Sequence, residues 1–123
     1  MHFYQQILGG TIQTMLTYGD SPMAASTDSK WHDRIVHATL LLYDVELTGV
    51  DMFPESYRRP QGFFITLTVS GATRAQAIFD ALSAGGVVQF PFQKTFWSQG
   101  FGVVVDRFEV PWEINASDDN PAA

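Results

Sequence analysis

Residues 63–69 (FFITLTV) are aromatic and β-branched without a breaker, a pattern that predicts a strand. Thr73-Arg74-Ala75-Gln76 then has the pattern of a capping box, and Ala75, Ile78, Phe79 and Leu82 follow at helical spacing. Gly85-Gly86 predicts the helix end, because glycine adopts the left-handed C-terminal conformation without steric cost. Strand-like segments follow at 87–93, 101–107 and 110–115. The predicted unit is strand, helix, strand, strand, strand.

The first half carries the same pattern. Phe, Gly, Gly and Gln recur at one offset of 76 residues, pairing 3 with 79, 9 with 85, 10 with 86 and 13 with 89. Residues 3–8 read as the last turns of a helix closed by Gly9-Gly10, and strands are predicted at 11–17, 34–43 and 45–53. The offset carries strand 63–69 to a point before Met1, so the repeat predicts that the first strand of module one is missing. The expected organisation is a single α+β domain: module one 1–53, linker 54–62, module two 63–116 and a frayed acidic tail 117–123. The polar stretch 19–33 is expected to be mobile.

With 123 residues the chain is long enough to bury a core unaided, and 46% hydrophobic content places it among globular proteins. It has no cysteine, which removes disulfides and thiolate chemistry and favours the cytoplasm. Thirteen acids against seven bases give a formal net charge of −6, the wrong sign for neutralising phosphates, so nucleic acid is not an expected partner. No apolar run reaches the length of a membrane span and no leader-like segment is evident, so no membrane role is expected.

The run 93–102 (QKTFWSQGFG), then Asp106-Arg107-Phe108 and Pro111-Trp112-Glu113-Ile114-Asn115, resembles the C-terminal signature of PhnB-like proteins. Phe3-Tyr4 before Leu8-Gly9-Gly10, Tyr18-Gly19-Asp20 and Ile35-Val36-His37-Ala38 resemble the same group, so the likeness covers nearly the whole chain. It implies membership of the glyoxalase/bleomycin-resistance/dioxygenase (vicinal oxygen chelate) superfamily, built from paired βαβββ modules curved around a cavity. It also implies a homodimer, and the open edge left by the missing strand would be covered by a second chain. Some relatives carry a name implying ubiquinone-precursor methylation, yet no glycine-rich turn suited to a methyl-donor nucleotide is present.

Metal-using members of that superfamily hold a divalent ion with His and carboxylate ligands, and the ion acts as a Lewis acid. The resemblance puts Phe64 where such members carry His, and Ile114 where they carry Glu. Glu113 is adjacent, but strand alternation turns it to the other face. A metal-free site is therefore expected. His37 reads either as a cavity-facing acid–base or hydrogen-bonding group, or as a buried structural histidine tied to a loop. Phe96, Trp97, Phe101 and Trp112 either line a small-molecule pocket or fill a core or dimer interface. The resemblance alone aims the Tyr18 hydroxyl at the same cavity. Asp106 is expected to fix the last turn through backbone hydrogen bonds.

The leading expectation is a small-molecule-binding protein of unknown ligand. The alternatives are a divalent-metal-dependent lyase, isomerase or dioxygenase whose ligands come from His37, Glu46, Asp51 or a partner chain, or an inactive dimerisation domain.

Overall fold

The computed structural model describes residues 1–118. The chain forms two compact units, Met1–Tyr57 and a second from Arg58 onward, with the boundary inside the stretch read as the linker. Each unit carries one α-helix and one sheet. Among the described residues no helix is long and apolar enough to cross a membrane.

The second unit runs β4 (Ile65–Ser70), α2 (Ala72–Ser83), β5 (Val87–Gln93), β6 (Phe101–Val105) and β7 (Pro111–Ser117). The sheet order is β4-β7-β6-β5, with β4 parallel to β7 and the other pairs antiparallel. The register sorts its residues into two faces. Ile65, Leu67 and Val69 lie beside Trp112, Ile114 and Ala116, and these in turn beside Val104 and Gly102. This face meets α2, whose Ala75, Ile78, Phe79 and Leu82 are buried. The Phe79 ring lies over Gly102, where an added Cβ would come within 2.6 Å of it. Each fully buried large side chain here contributes about 1.5–3 kcal/mol through removal of apolar surface from water. The opposite face carries Thr66, Thr68, Glu113, Asn115, Phe101, Val103 and Phe90.

The first unit runs α1 (His2–Leu8), β1 (Thr11–Thr17), β2 (Ile35–Leu42) and β3 (Val45–Gly49), with two short 3-10 turns between β1 and β2. Its antiparallel sheet has the order β1-β2-β3, and Leu8, Ala38 and Leu40 are buried.

The repeat read from sequence has a structural cause at three of its four identities. Gly9 and Gly85 have φ of +79° and +76°, the left-handed region that favours glycine. At Gly10 and Gly86 a Cβ would collide with the carbonyl oxygens of Leu41 and Val105 on the neighbouring strand. Gln13 and Gln89 fall where the ladders slip, between Ile12 and Thr14 in β1 and between Val88 and Phe90 in β5. Each is therefore the extra residue of a bulge. In the second unit β7 carries β4 on its outer side; β3, its counterpart, has no strand there among the described residues.

Several expectations are corrected. Helix α2 starts at Ala72 with Gly71 as N-cap, and no side chain caps it, so Thr73-Arg74-Ala75-Gln76 is not a capping box. Gln76 instead donates to Asp80 one turn later (3.0 Å). β3 stops at Gly49 rather than 53. Beyond it Asp51 holds Ile35 twice, its amide donating to the Ile35 carbonyl and its carboxylate accepting from the Ile35 amide (both 2.8 Å). Ser117, assigned to the tail, closes β7 opposite Ser70; residues 119–123 of that tail lie outside the described residues. The stretch 19–33, expected to be mobile, is held by hydrogen bonds: His32 Nε2 lies 3.1 and 3.0 Å from the carbonyls of Ala24 and Thr27, and Gly19 donates to the His32 carbonyl.

Candidate functional site

The face of the second unit's sheet turned away from α2 has two unlike halves. On β5, β6 and the connection after β5, four rings meet edge-on in a row. Phe90 contacts Phe101 at 5.9 Å, Phe101 contacts Trp97 at 5.2 Å, and Trp97 contacts Phe96 at 4.6 Å between centroids. Trp97 is 55% exposed and Phe96 97% exposed, a costly position for rings that play no binding role. The other half, on β4 and β7, is polar. Thr66 donates to Glu113 across the strands (3.2 Å), and Asn115 stands between Thr68 and Phe101.

At one end of this face a cleft of about 440 Å³ opens between residues 94–99 and 115–118. Its walls are fixed by hydrogen bonds. Ala116 donates to Gly100 (2.7 Å), Thr95 to the Ser98 carbonyl (3.0 Å), and the Ser98 hydroxyl to the carbonyls of Gly100 and Ala116 (2.7 and 3.1 Å). Gln99 donates to the Asp118 carboxylate (2.9 Å). Two residues of its lining each have a side-chain oxygen left over. Thr95 Oγ1 and Asn115 Oδ1 are buried, and neither has a hydrogen-bond partner. A buried polar atom left unpaired costs about 1–3 kcal/mol, so such atoms are rare without a water, an ion or a ligand to satisfy them. Lys94, on the same rim, is exposed and makes no ion pair among the described residues.

No family model matches the sequence. Among solved structures, protein PA1353 from Pseudomonas aeruginosa superposes with a TM-score of 0.85 at 39% identity, covering 96% of this chain and 86% of its own. The chain belongs to the PA1353 family. A second structure, a PhnB protein from Bacillus cereus described as a putative 3-demethylubiquinone-9 3-methyltransferase, superposes at 0.79 over 95% of this chain and 88% of its own. At 18% identity that likeness concerns the fold: a mixed α+β architecture of the PhnB-like, glyoxalase-fold kind. Protein YjdN of Escherichia coli K12 is 29% identical over 127 residues, 97% of this chain and 86% of that protein.

In this PA1353-family chain the residues expected at a site are dispersed. Phe96 and Trp97 line the cleft, and Phe101 continues the aromatic row beside it. Trp112 lies on the other face, buried beneath α2, where its indole donates to Asp106 (2.9 Å). Tyr18 is buried in the first unit against Trp31 and Phe53, and its hydroxyl donates to the Asp51 carbonyl (2.9 Å). His37 is exposed on β2 rather than buried, and its partner is Thr39 on the same strand (3.1 Å), not a loop.

Asp106 holds the last turn as expected: one carboxylate oxygen accepts from the amides of Phe108 (2.8 Å) and Val110 (3.1 Å). The alternation around Glu113 and Ile114 holds, but the faces are the reverse of those assumed. Ile114 is fully buried against the helix, and Glu113 lies on the open face. The candidate ligands of the first unit do not converge. Glu46 sits opposite Leu41, four residues along β2 from His37, which is about 14 Å at strand rise. The Asp51 carboxylate is occupied by the Ile35 amide. Among the described residues no three His, Asp or Glu side chains gather closely enough to hold an ion.

The residues that sequence reasoning missed are Thr95, Asn115 and Lys94. Thr95 and Asn115 are polar residues inside the aromatic-rich signature, and that placement is the signal available for them.

Proposed function

We propose that this protein binds a small molecule in the cleft of its second unit, with the row Phe96, Trp97 and Phe101 holding the ligand's apolar body, and that it does so without a metal ion. The observation that carries this reading is the row of exposed rings at a cleft whose lining includes Phe96 and Trp97. Aromatic side chains beside polar groups are a common makeup of ligand sites. The dispersal of His37, Glu46 and Asp51 supports a metal-free site. The test is the thermal unfolding midpoint of the metal-stripped protein with a fragment set, and separately with manganese, nickel, zinc and iron(II). A ligand at a hundred times its Kd stabilises by about 2.7 kcal/mol. A saturable rise with a fragment, lost in Trp97→Ala, supports the reading. A rise with one metal, lost in His37→Ala, overturns it in favour of a metal-dependent lyase, isomerase or dioxygenase.

The protein works, on the same reading, as a cytoplasmic homodimer in which a strand from the second chain pairs along β3. The support is the asymmetry of the two sheets: β7 has β4 outside it, and β3 presents unpaired backbone donors and acceptors. Sedimentation at micromolar concentration is expected to give the dimer mass, and a monomer mass refutes this part.

A further inference from the structure

The rings at the cleft meet nearly at right angles, and that restricts the shape of what they hold. Phe96 and Trp97 stand at 82° with centroids 4.6 Å apart, and Trp97 and Phe101 at 71° and 5.2 Å. A flat group lies parallel to one ring of such a corner and end-on to the other. A rounded group touches both. Phe96 is 97% exposed and Trp97 55%, so ring surface is open to it. We infer that the corner of Phe96 and Trp97 takes a methylated ammonium group carried on a free small molecule. This inference rests on reading the cleft as a ligand site.

Charge separates such a group from a neutral one of the same shape. The face of an aromatic ring is the negative part of its quadrupole and attracts a cation. The first unit already uses that attraction, with the Arg34 guanidinium 5.6 Å from the centroid of the Trp31 ring. None of the described cations lies over Phe96, Trp97 or Phe101. The cleft opens between 94–99 and 115–118, so these rings belong to one wall and Asp118 to the other. The Asp118 carboxylate accepts from the neutral Gln99 side chain (2.9 Å), and among the described residues no cation pairs with it. Lys94, on the ring-bearing wall, works against a bound cation and Asp118 works for it. Both are exposed and weakened by water, which leaves the ring faces and the net charge of −6 to decide the sign. Methyl groups on the nitrogen matter because a bare ammonium holds its water strongly, and rings this exposed do not strip it.

The test sets choline against neohexyl alcohol, the same molecule with carbon in place of the charged nitrogen, on the full chain. The readouts are the Trp97 indole and Ser98 backbone amide signals in proton–nitrogen spectra, which also report whether each variant is folded. The indole of Trp112, buried beneath α2, is the signal expected to stay still. Choline is expected to saturate both readouts and to bind about tenfold more tightly than the alcohol, because two ring contacts each favour the cation. By the Ser98 signal, Trp97→Leu is expected to abolish that preference and Trp97→Phe to keep most of it. Asp118→Asn is expected to weaken choline and leave the alcohol unchanged. Equal binding of the two probes, or tighter binding of the alcohol, overturns the cation and leaves small-molecule binding standing. So does silence from choline while a neutral fragment saturates the cleft. Co-sedimentation with phosphatidylcholine vesicles, reversed by choline, would overturn the free small molecule as the carrier of the group. No movement of either signal with choline, the alcohol or any fragment overturns both the class and the small-molecule reading.

Discussion

The connections that follow β1 and β5 leave the same bulged strand and reach opposite ends. After β1 the chain takes the long route through 19–33, and Trp31 and Phe53 close over Tyr18 at 6.5 and 5.2 Å. The Tyr18 hydroxyl in that cluster is satisfied by the Asp51 carbonyl. After β5 the route through 94–100 is short, too short to fold back over its own aromatics, and Phe96 and Trp97 face outward. Here the polar atoms Thr95 Oγ1 and Asn115 Oδ1 stay unpaired. Equal strand frames thus yield one sealed aromatic cluster and one open one. On the proposed function, the contrast puts the binding residues in the connection rather than in the sheet, as is common where a rigid scaffold presents a loop.

The sharpest break of this comparison is at the paired phenylalanines. Phe79→Ala empties the space beneath α2 and is expected to cost about 3–5 kcal/mol in urea denaturation, whereas Phe3→Ala, at a half-buried position, costs clearly less. Equal losses would show that the two helices carry equal cores. Next in size is Tyr18→Phe, which strips the sealed cluster of its one hydrogen bond and is expected to cost about 0.5–1.5 kcal/mol. Thr95→Val is its counterpart in the open cluster. It removes an atom that has no partner, so stability should hold or rise slightly; a loss near that of Tyr18→Phe would mean that Thr95 is already satisfied in the free protein. The smallest effect on stability belongs to Trp97→Ala, within about 0.5 kcal/mol for an exposed side chain, while fragment binding disappears.

Much of this architecture is legible in the sequence because it depends on local chemistry. β1 and β5 fall on 11–17 and 87–93, bounded on one side by glycine pairs whose conformation other residues resist. The Asp106 turn is legible for the same reason, since an aspartate before a tight connection bonds the amides that follow it. What depends on a third partner is not legible. Alternation separates Glu113 from Ile114, but only the position of α2 decides which of them faces the core. Trp112 and Trp97 are alike as letters; one is roofed by a helix and the other by nothing in its own unit that hides it. The Asp51 carboxylate reads as a candidate ligand until the Ile35 amide is seen to occupy it.

The collisions that a methyl group would suffer at Gly10 and Gly86 explain why these two positions read alike in halves that otherwise share few residues. What the halves still hold in common is largely a set of prohibitions: a carbonyl oxygen passes where any side chain would stand, and a backbone turns where β-carbons are unwelcome. Elsewhere the two halves differ, one with its aromatics closed over and the other with them exposed. Their likeness is written mainly in the places where nothing can be added.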